Sequence, residues 1–147
     1  PWPAPLPPAA PPALEMEMVI PRAADAELVA ARALEQLAEN LGMSQEDAGR
    51  LKTALVEACI NAFEHSGDRE GRVRLWFAAA GGRLVVRVEN RGRPLASLPA
   101  PATGEGPRRR GWGLTLMRQL LDEVRIEPRE DGVSLVLEKE IGGRSRG

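Results

Sequence analysis

The sequence predicts a layered α+β sandwich, in which helices cover one face of a mixed, mostly antiparallel sheet. The first observation is two consecutive segments with apolar residues at helical spacing. The second is two pairs of alternating segments, each joined by a glycine-containing turn, with a third helical segment between the pairs. The 147 residues, 43% of them hydrophobic, suffice for one domain with a core and are too few for two ordinary domains.

Prolines dominate the beginning of the chain. Residues 1–12 contain seven of the 13 prolines, which predicts an extended linker of polyproline type. Because the chain begins at Pro1 and not at a methionine, we interpret this linker as the end of a connection from a longer protein. A proline-rich ligand for a recognition module is the alternative. The domain is then expected over residues 13–141, with a flexible tail at 142–147.

The next residues predict a strand followed by a helix. Apolar and acidic residues alternate over 13–20, which favours an edge strand that stops at Pro21. Asp25 is predicted to cap the first helix, which carries leucines at helical spacing and ends at Gly42.

Local signals also predict the remaining elements. Ser44, with Asp47 three residues later, is typical of a capping-box start for a second helix that closes near Gly67. Gly81-Gly82 is a hairpin turn signal between two alternating segments. The later elements are, in order, strands at 72–78 and 84–88, a helix from about Gly113 to Glu123, and strands at 124–127 and 133–141.

Composition limits the classes of function. Twenty basic and 21 acidic residues give a net charge of −1, which provides no electrostatic case for nucleic acid or an anionic membrane as the main partner. The single cysteine, Cys59, excludes an internal disulfide and a cysteine zinc site, and we expect it to be a small core residue. Without a bilayer-spanning apolar run or a leader, the sequence predicts a soluble cytoplasmic protein.

The second helix carries a row of polar residues beside its buried face. Glu57, Asn61 and His65 fall within about 80° of one another at helical geometry, next to the arc of Leu51 and Leu55. A carboxylate and an amide in that position are costly unless something outside the helix pairs with them, and a ligand or an ion would do so. The alternative is the ordinary polar border of an amphipathic helix.

A long glycine-bearing loop forms the second candidate feature. Residues 90–110 are too many for a simple connection, and long loops with glycine at both ends are commonly lids over ligands. Gly111 and Gly113 are predicted to lie just before a helix, where backbone N–H groups receive phosphate. The arginines at 108–110 favour phosphate binding. An ordinary turn next to a solvated arginine run is the alternative.

Taken together, these segments resemble the ATP-binding domain of the GHKL superfamily, most closely that of the bacterial anti-sigma factor serine kinases. Glu57-Ala58, Asn61-Ala62 and His65 resemble the N box of that branch. Residues 88–92 resemble its first glycine box, and residues 110–117 its second. The resemblance covers about residues 14–141 and implies the two-layer GHKL/Bergerat-type fold.

The resemblance implies a role for individual residues. Asn61 matches the residue that coordinates Mg²⁺ on bound ATP, and Glu57 matches the base that activates the attacking serine hydroxyl. His65 lies inside the implied ATP site. The other implied nucleotide-binding residues are Asn90, Gly92 and Ser134 near adenine, Gly111 and Gly113 near the phosphates, Arg109 or Arg110 near the terminal phosphate, and Thr115 within the second glycine box.

Two positions depart from the family pattern. Asn90 stands where the family has an aspartate that accepts from the adenine amino group, and Pro94 replaces the second glycine of the first box. Because an amide has one acceptor and one donor end and can turn over, we expect weaker ATP binding and poorer ATP/GTP discrimination than an aspartate would give.

Three functions follow from the resemblance. The first is an ATP-dependent serine kinase that sequesters a sigma factor and phosphorylates an anti-anti-sigma protein of the STAS type. The second is a protein-binding module of the same fold with weakened nucleotide binding or catalysis. The third is the ATP-binding half of a histidine kinase, which is disfavoured because the sole histidine, His65, lies inside the implied ATP site. The resemblance also allows a homodimer.

Overall fold

The computed structural model describes residues 14–65, 71–91, 110–130 and 132–142, which form three helices and one five-stranded sheet. The strands are β1 Leu14–Ile20, β2 Val73–Ala80, β3 Arg83–Arg91, β4 Glu123–Arg129 and β5 Gly132–Glu140. The helices are α1 Ala26–Asn40, α2 Gln45–His65 and α3 Arg110–Leu120. The predicted linker at 1–12 and the tail beyond Gly142 lie outside the described residues.

The sheet has the strand order β1-β2-β3-β5-β4, and the helices pack on one of its faces. This architecture confirms the predicted α+β sandwich, with β1 at an edge as expected. The pairings between the described strands are all antiparallel, whereas a mixed sheet was expected. Tight turns impose the antiparallel direction within the β2–β3 and β4–β5 hairpins, and α3 returns the chain so that β5 runs antiparallel to β3.

The β2–β3 turn follows the sequence signal closely. Gly81 and Gly82 have φ angles of 59° and 76°, and they separate the paired residues Ala80 and Arg83. Two successive positive φ angles define the type I′ turn, which suits glycine and matches the twist of the flanking strands. The turn therefore fixes the register of the hairpin.

Alternate residues of β2 and β3 point toward the helices and are apolar. Phe77 of β2 and Val86 of β3 form a cross-strand pair, and both are fully buried. The fully buried side chains on this side of the sheet also include Val73, Leu75, Leu84 and Leu137 from the strands and Leu34, Leu51, Leu55 and Met117 from the helices. This apolar layer anchors α2, the helix that carries the polar row.

The buried face of α2 also contains the single cysteine. Cys59 is fully buried, and desolvation together with the charge of Glu27 raises the pKa of its thiol to about 12. The thiol is therefore neutral at neutral pH, consistent with a core residue. In the part of the chain that the structure describes, no helix is long and apolar enough to cross a membrane.

The two helix starts agree with the sequence to different degrees. Ser44 Oγ accepts a hydrogen bond from the Asp47 N–H at 3.1 Å, which confirms the predicted cap of α2. Asp25 occupies the N-cap position of α1, but its side chain makes no capping hydrogen bond. Its backbone is left-handed, with φ 65°, whereas a capping side chain requires an extended N-cap. The predicted capping role of Asp25 was therefore wrong.

Helix α3 lies three residues earlier than predicted at each end, because it begins at Arg110 and stops at Leu120. Its end is set by the sheet, since the Asp122 N–H donates to the Glu138 carbonyl at 3.1 Å. Asp122 Oδ2 in turn accepts from the Glu140 N–H at 2.7 Å. These contacts pull the chain into β4 before another helical turn can form.

Candidate functional site

Two residues of the polar row lie at the border of the buried face of α2. Glu57 and Asn61 are half-buried and one helical turn apart. Their neighbours Leu55 and Ala58 are buried against the core, which fixes the rotation of the helix. His65 is the last residue of α2, and its side chain lies outside the described part of the structure.

The first turn of α3 packs directly on this row. A Cβ atom built on Gly113 would lie 2.6 Å from Glu57 Oε2 and 3.0 Å from Asn61 Nδ2. Both distances are shorter than normal contacts of a Cβ atom, so an alanine here would require the side chains of Glu57 and Asn61 to shift. The structure thus brings together the second glycine segment and the polar row, which are about 50 residues apart in sequence.

The predicted position of these glycines needs correction. Both were expected before the helix, but α3 begins at Arg110, so Gly111 and Gly113 lie within its first turn. The first four N–H groups of a helix have no intrahelical partner, so this turn can still donate to an anion. The positive end of the helix dipole points the same way. The chemistry predicted for the segment is therefore available inside the helix.

Asn61, whose Nδ2 faces Gly113, also carries a buried oxygen. Its Oδ1 is inaccessible to solvent and has no hydrogen-bond partner among the described residues. An unpaired buried acceptor typically costs about 1 to 3 kcal/mol, so such an atom calls for a ligand. An amide oxygen is a hard donor that suits Mg²⁺ or Ca²⁺.

Asn90 lies at the end of β3, on the side of the sheet that faces the helices. It is 3% exposed, and its Nδ2 donates to the carbonyl oxygen of Ala62 at 3.4 Å. Ala62 directly follows Asn61 in α2. The structure therefore groups Asn90 with Glu57, Asn61 and Gly113.

Ser134 does not join this group. In the β3–β5 register Asn90 is opposite Val133, whereas Ser134 is opposite Glu89. Directly paired residues share a face of the sheet, so Ser134 lies on the face away from the helices. Its side chain is fully buried there, and its Oγ has no hydrogen-bond partner in the described ranges. The adenine contact implied for Ser134 is not compatible with this placement.

The structure describes only some of the other predicted residues. Thr115 is exposed on α3. Gly92, Pro94 and Arg109 lie outside the described residues, and so does the side chain of Arg110. Among the described residues, no three histidine, cysteine, aspartate or glutamate side chains are arranged to hold a metal ion.

Sequence reasoning missed Arg22, which contacts the end of α2. Arg22 Nη2 donates to the carbonyl oxygen of Phe63 at 3.0 Å, although the two residues are 41 positions apart. A Cβ atom on Gly71 would lie only 2.7 Å from Arg22 Nε, and Gly71 has a φ of 66°. No local pattern marks Arg22, since its partner lies 41 positions away in the sequence.

Comparison with known proteins adds independent information. Residues 21–139 match the model of the histidine kinase-like ATPase domain. The serine-protein kinase RsbW of Bacillus subtilis is 29% identical over 139 residues, covering 87% of this chain and 86% of the relative. RsbW of Bacillus licheniformis is 32% identical over 117 residues, covering 72% of each.

Solved structures support the fold. The crystal structure of the RsbU and RsbW domains of a Mycobacterium tuberculosis protein superposes with a TM-score of 0.69 at 20% identity, covering 89% of this chain and 33% of that one. The histidine kinase domain of a blue-light activated kinase from Erythrobacter litoralis gives 0.54, also at 20% identity, covering 82% and 62%. At this identity the likeness concerns the fold alone.

Proposed function

Because this chain belongs to the histidine kinase-like ATPase domain family, we propose that it is an ATP-dependent protein serine kinase of the anti-sigma factor type. It would sequester a sigma factor and transfer the terminal phosphate of Mg²⁺-ATP to a serine of an anti-anti-sigma protein. Support for this reaction class comes from the relatives named serine-protein kinase RsbW.

The observation that carries the proposal is the buried oxygen of Asn61. It lacks a protein partner among the described residues. It belongs to the side-chain amide whose Nδ2 would lie 3.0 Å from a Cβ atom on Gly113, next to Glu57. Mg²⁺ is commonly held by one or two protein oxygens together with substrate phosphates, and a single amide oxygen fits that mode. When bound, Mg²⁺ would neutralise charge on the triphosphate.

Glu57 is the proposed general base. It lies one helical turn before Asn61, so its carboxylate can reach a hydroxyl that approaches the phosphate held there. In the transfer, a bond forms between the serine Oγ and the γ-phosphorus, and the bond from that phosphorus to the β,γ-bridging oxygen breaks to release ADP. The serine proton moves to the carboxylate of Glu57.

The first turn of α3 is the proposed phosphate cradle. Gly113 lets this turn contact the row on α2. The first N–H groups of α3, which have no partner within the helix, and the positive end of its dipole therefore lie beside Glu57 and Asn61. We assign Gly111 and Thr115 to this phosphate side. Asn90 and Gly92 are assigned to contacts with adenine. His65, Arg109 and Arg110 are assigned to the remaining contacts with ATP. Ser134 is not part of the proposed site.

A binding module without turnover is the second candidate. The observation that favours it is the hydrogen bond from Asn90 to Ala62, which uses the N–H₂ end of the amide for structure. Glu57 favours the kinase, since a scaffold needs no base. A turnover assay separates the two.

The test is Glu57→Gln in an assay that detects phosphoserine on a candidate anti-anti-sigma protein. We expect nearly unchanged ATP affinity and phosphoryl transfer lowered by about 10²- to 10⁴-fold, the usual contribution of a general base. Asn61→Ala should instead weaken Mg²⁺-dependent ATP binding. Calorimetry measures the ATP affinities of both variants and of the wild type.

Glu46→Gln is the matched control, because Glu46 is an exposed glutamate in the first turn of the same helix, where its carboxylate pairs with Arg50 at 2.8 Å. It should leave transfer unchanged. Equal turnover in wild type and Glu57→Gln would remove Glu57 as the base. Tight binding of the partner proteins with no phosphoserine from the wild type would establish the binding module instead.

A further inference from the structure

We infer that Asn90 is a positioning residue, whose amide N–H fixes the last turn of α2 and with it Asn61. The key contact is the hydrogen bond from Asn90 Nδ2 to the carbonyl oxygen of Ala62 at 3.4 Å. Asn90 is 3% exposed, so water does not compete freely for this carbonyl. The bond connects the end of β3 to a helix 28 positions earlier in the chain.

The end of α2 requires such donors. The last four carbonyl groups of a helix have no intrahelical partner, and α2 ends at His65, so Ala62 and Phe63 belong to this set. Asn90 supplies the donor for Ala62, and Arg22 supplies the donor for Phe63 at 3.0 Å. Two successive carbonyls are therefore held by two separate parts of the chain. This arrangement restrains both the rotation and the length of the final turn.

The restrained turn adjoins the proposed metal ligand. Asn61 directly precedes Ala62, and its Nδ2 lies 3.0 Å from the position of a Cβ on Gly113. With so little space, a small rotation of the turn would move the Asn61 oxygen relative to α3. The hydrogen bond from Asn90 prevents that rotation.

The contact depends on a group that an aspartate lacks. An ionised carboxylate only accepts, so an aspartate at position 90 would face the Ala62 carbonyl oxygen with another acceptor. In a buried place this repulsion is not relieved by water. With the N–H₂ group engaged, Oδ1 is the end of the amide that remains for a ligand. The inference therefore predicts that Asn90→Asp weakens Mg²⁺-dependent ATP binding, which is the opposite of the expectation from sequence.

The first test measures hydrogen exchange of the ligand-free protein. Asn90→Asp and the nearly isosteric, uncharged Asn90→Leu both remove the donor. In each variant, we expect a peptide covering the end of α2 to exchange about fivefold faster or more, the factor typical of losing one internal hydrogen bond. The exchange rate of a peptide from β2 measures global opening. Only an increase at the end of α2 that exceeds the increase in β2 supports the inference.

Asn40→Asp is the matched control. Asn40 Oδ1 accepts from Gln36 Nε2 at 3.3 Å, so an aspartate can keep this role. Asn40→Asp should therefore leave hydrogen exchange at the end of α1 unchanged. If neither Asn90 variant shows excess exchange at the end of α2, the inference is wrong. The leucine variant keeps the test decisive if the buried charge of the aspartate prevents folding.

The second test rests on the proposed function. Calorimetry of ATP binding with and without Mg²⁺ gives the factor by which Mg²⁺ raises affinity. Both Asn90 variants should lower this factor about fivefold or more, because they displace the ligand oxygen. The same direction is expected for Asn61→Ala. If the wild type shows the enhancement and the variants keep it fully, the inference fails while the proposed function stands. If the wild type shows no Mg²⁺-ATP binding, the proposed function fails and the exchange experiment still decides the role of Asn90.

Discussion

The two faces of the sheet are built from alternate residues of the same strands, yet they follow opposite chemistry. Toward the helices, Phe77 and Val86 belong to a fully buried apolar layer. On the outer face, Arg87 is nearly as buried, but its Nη1 pairs with Glu127 at 2.6 Å. Arg125 likewise bonds Glu138 of the next strand at 2.7 Å.

This difference shows where a polar side chain indicates function. On the outer face, charged residues of β3, β4 and β5 mainly pair with one another across strands, as Arg129 does with Glu89 at 2.6 Å. On the helix side almost every neighbour is apolar, so the buried polar groups of Asn61 and Asn90 need a specific reason to be there. We therefore place the candidate site on the helix side, at its border.

Ion pairs keep the arginine side chain of Arg125 charged on the outer face. Partial burial opposes the charged form of Arg125, but hydrogen bonds to Glu138 and Glu123 more than compensate and raise the pKa of its guanidinium. The guanidinium thus stays charged at any ordinary pH. The comparison predicts that truncations on the helix side cost much more stability than losses of charge on the outer side.

The largest effect is expected for Phe77→Ala on the helix side. Removing a fully buried phenyl ring leaves a cavity in the apolar layer, and such changes typically cost about 3 to 5 kcal/mol of unfolding free energy. Arg83→Ala on the outer face is the control, since it loses only a partly exposed pair with Glu138 at 3.1 Å, worth about 1 kcal/mol or less. Urea unfolding measures both values. Similar losses in the two variants would contradict the proposed contrast between the faces.

Gly113→Ala tests the close contact at the border of the helix side. Its Cβ would lie 2.6 Å from Glu57 Oε2, so that carboxylate and Asn61 must shift. Gly49→Ala in α2 is the control, because nothing lies within 4 Å of its Cβ position. A helical glycine replaced by alanine in open space stabilises by about 0.5 to 1 kcal/mol.

We expect Gly49→Ala to show this gain. Gly113→Ala should be less stable than Gly49→Ala by about 1 to 2 kcal/mol, the lower part of the usual cost of overpacking, because the contacted carboxylate can move. Thermal unfolding compares the two variants. Equal stabilisation by both substitutions would mean that α3 can retreat from Glu57 without cost.

The sequence predicted most of the fold because the relevant signals are local. Ser44 and Gly81-Gly82 determine a helix start and a turn through their immediate neighbours. The face of Ser134 was not predictable in this way, because β5 reads Val-Ser-Leu-Val-Leu and lacks a clear alternation. Val136 on the outer face is as buried as Leu137 on the helix side, so the strand is buried on both faces.

Within the candidate site, the sequence predicted the helical row of Glu57 and Asn61 but not the contacts around it. Helical spacing placed Glu57 and Asn61 on one row because α2 is regular. The links from Asn90 and Arg22 to the end of α2 join residues 28 and 41 positions apart, and no periodicity reports such distances. The left-handed backbone at Asp25 was missed for a related reason, since residue type indicates a cap position but not its φ angle.

The smallest effect is expected for Arg125→Gln, and salt should identify its origin. Arg125 Nη1 contacts Glu123 at 2.9 Å and Glu138 at 2.7 Å, and its side chain is 40% exposed, so solvent screens much of the attraction. We expect a loss of about 0.5 to 1 kcal/mol at low ionic strength, which shrinks in 1 M salt because the screening length falls to about 3 Å. The cost of Phe77→Ala should not shrink in the same buffer, since it arises from apolar contacts. A loss at Arg125 that stays constant in 1 M salt would show that the aliphatic part of its side chain, and not its charge, stabilises the outer face.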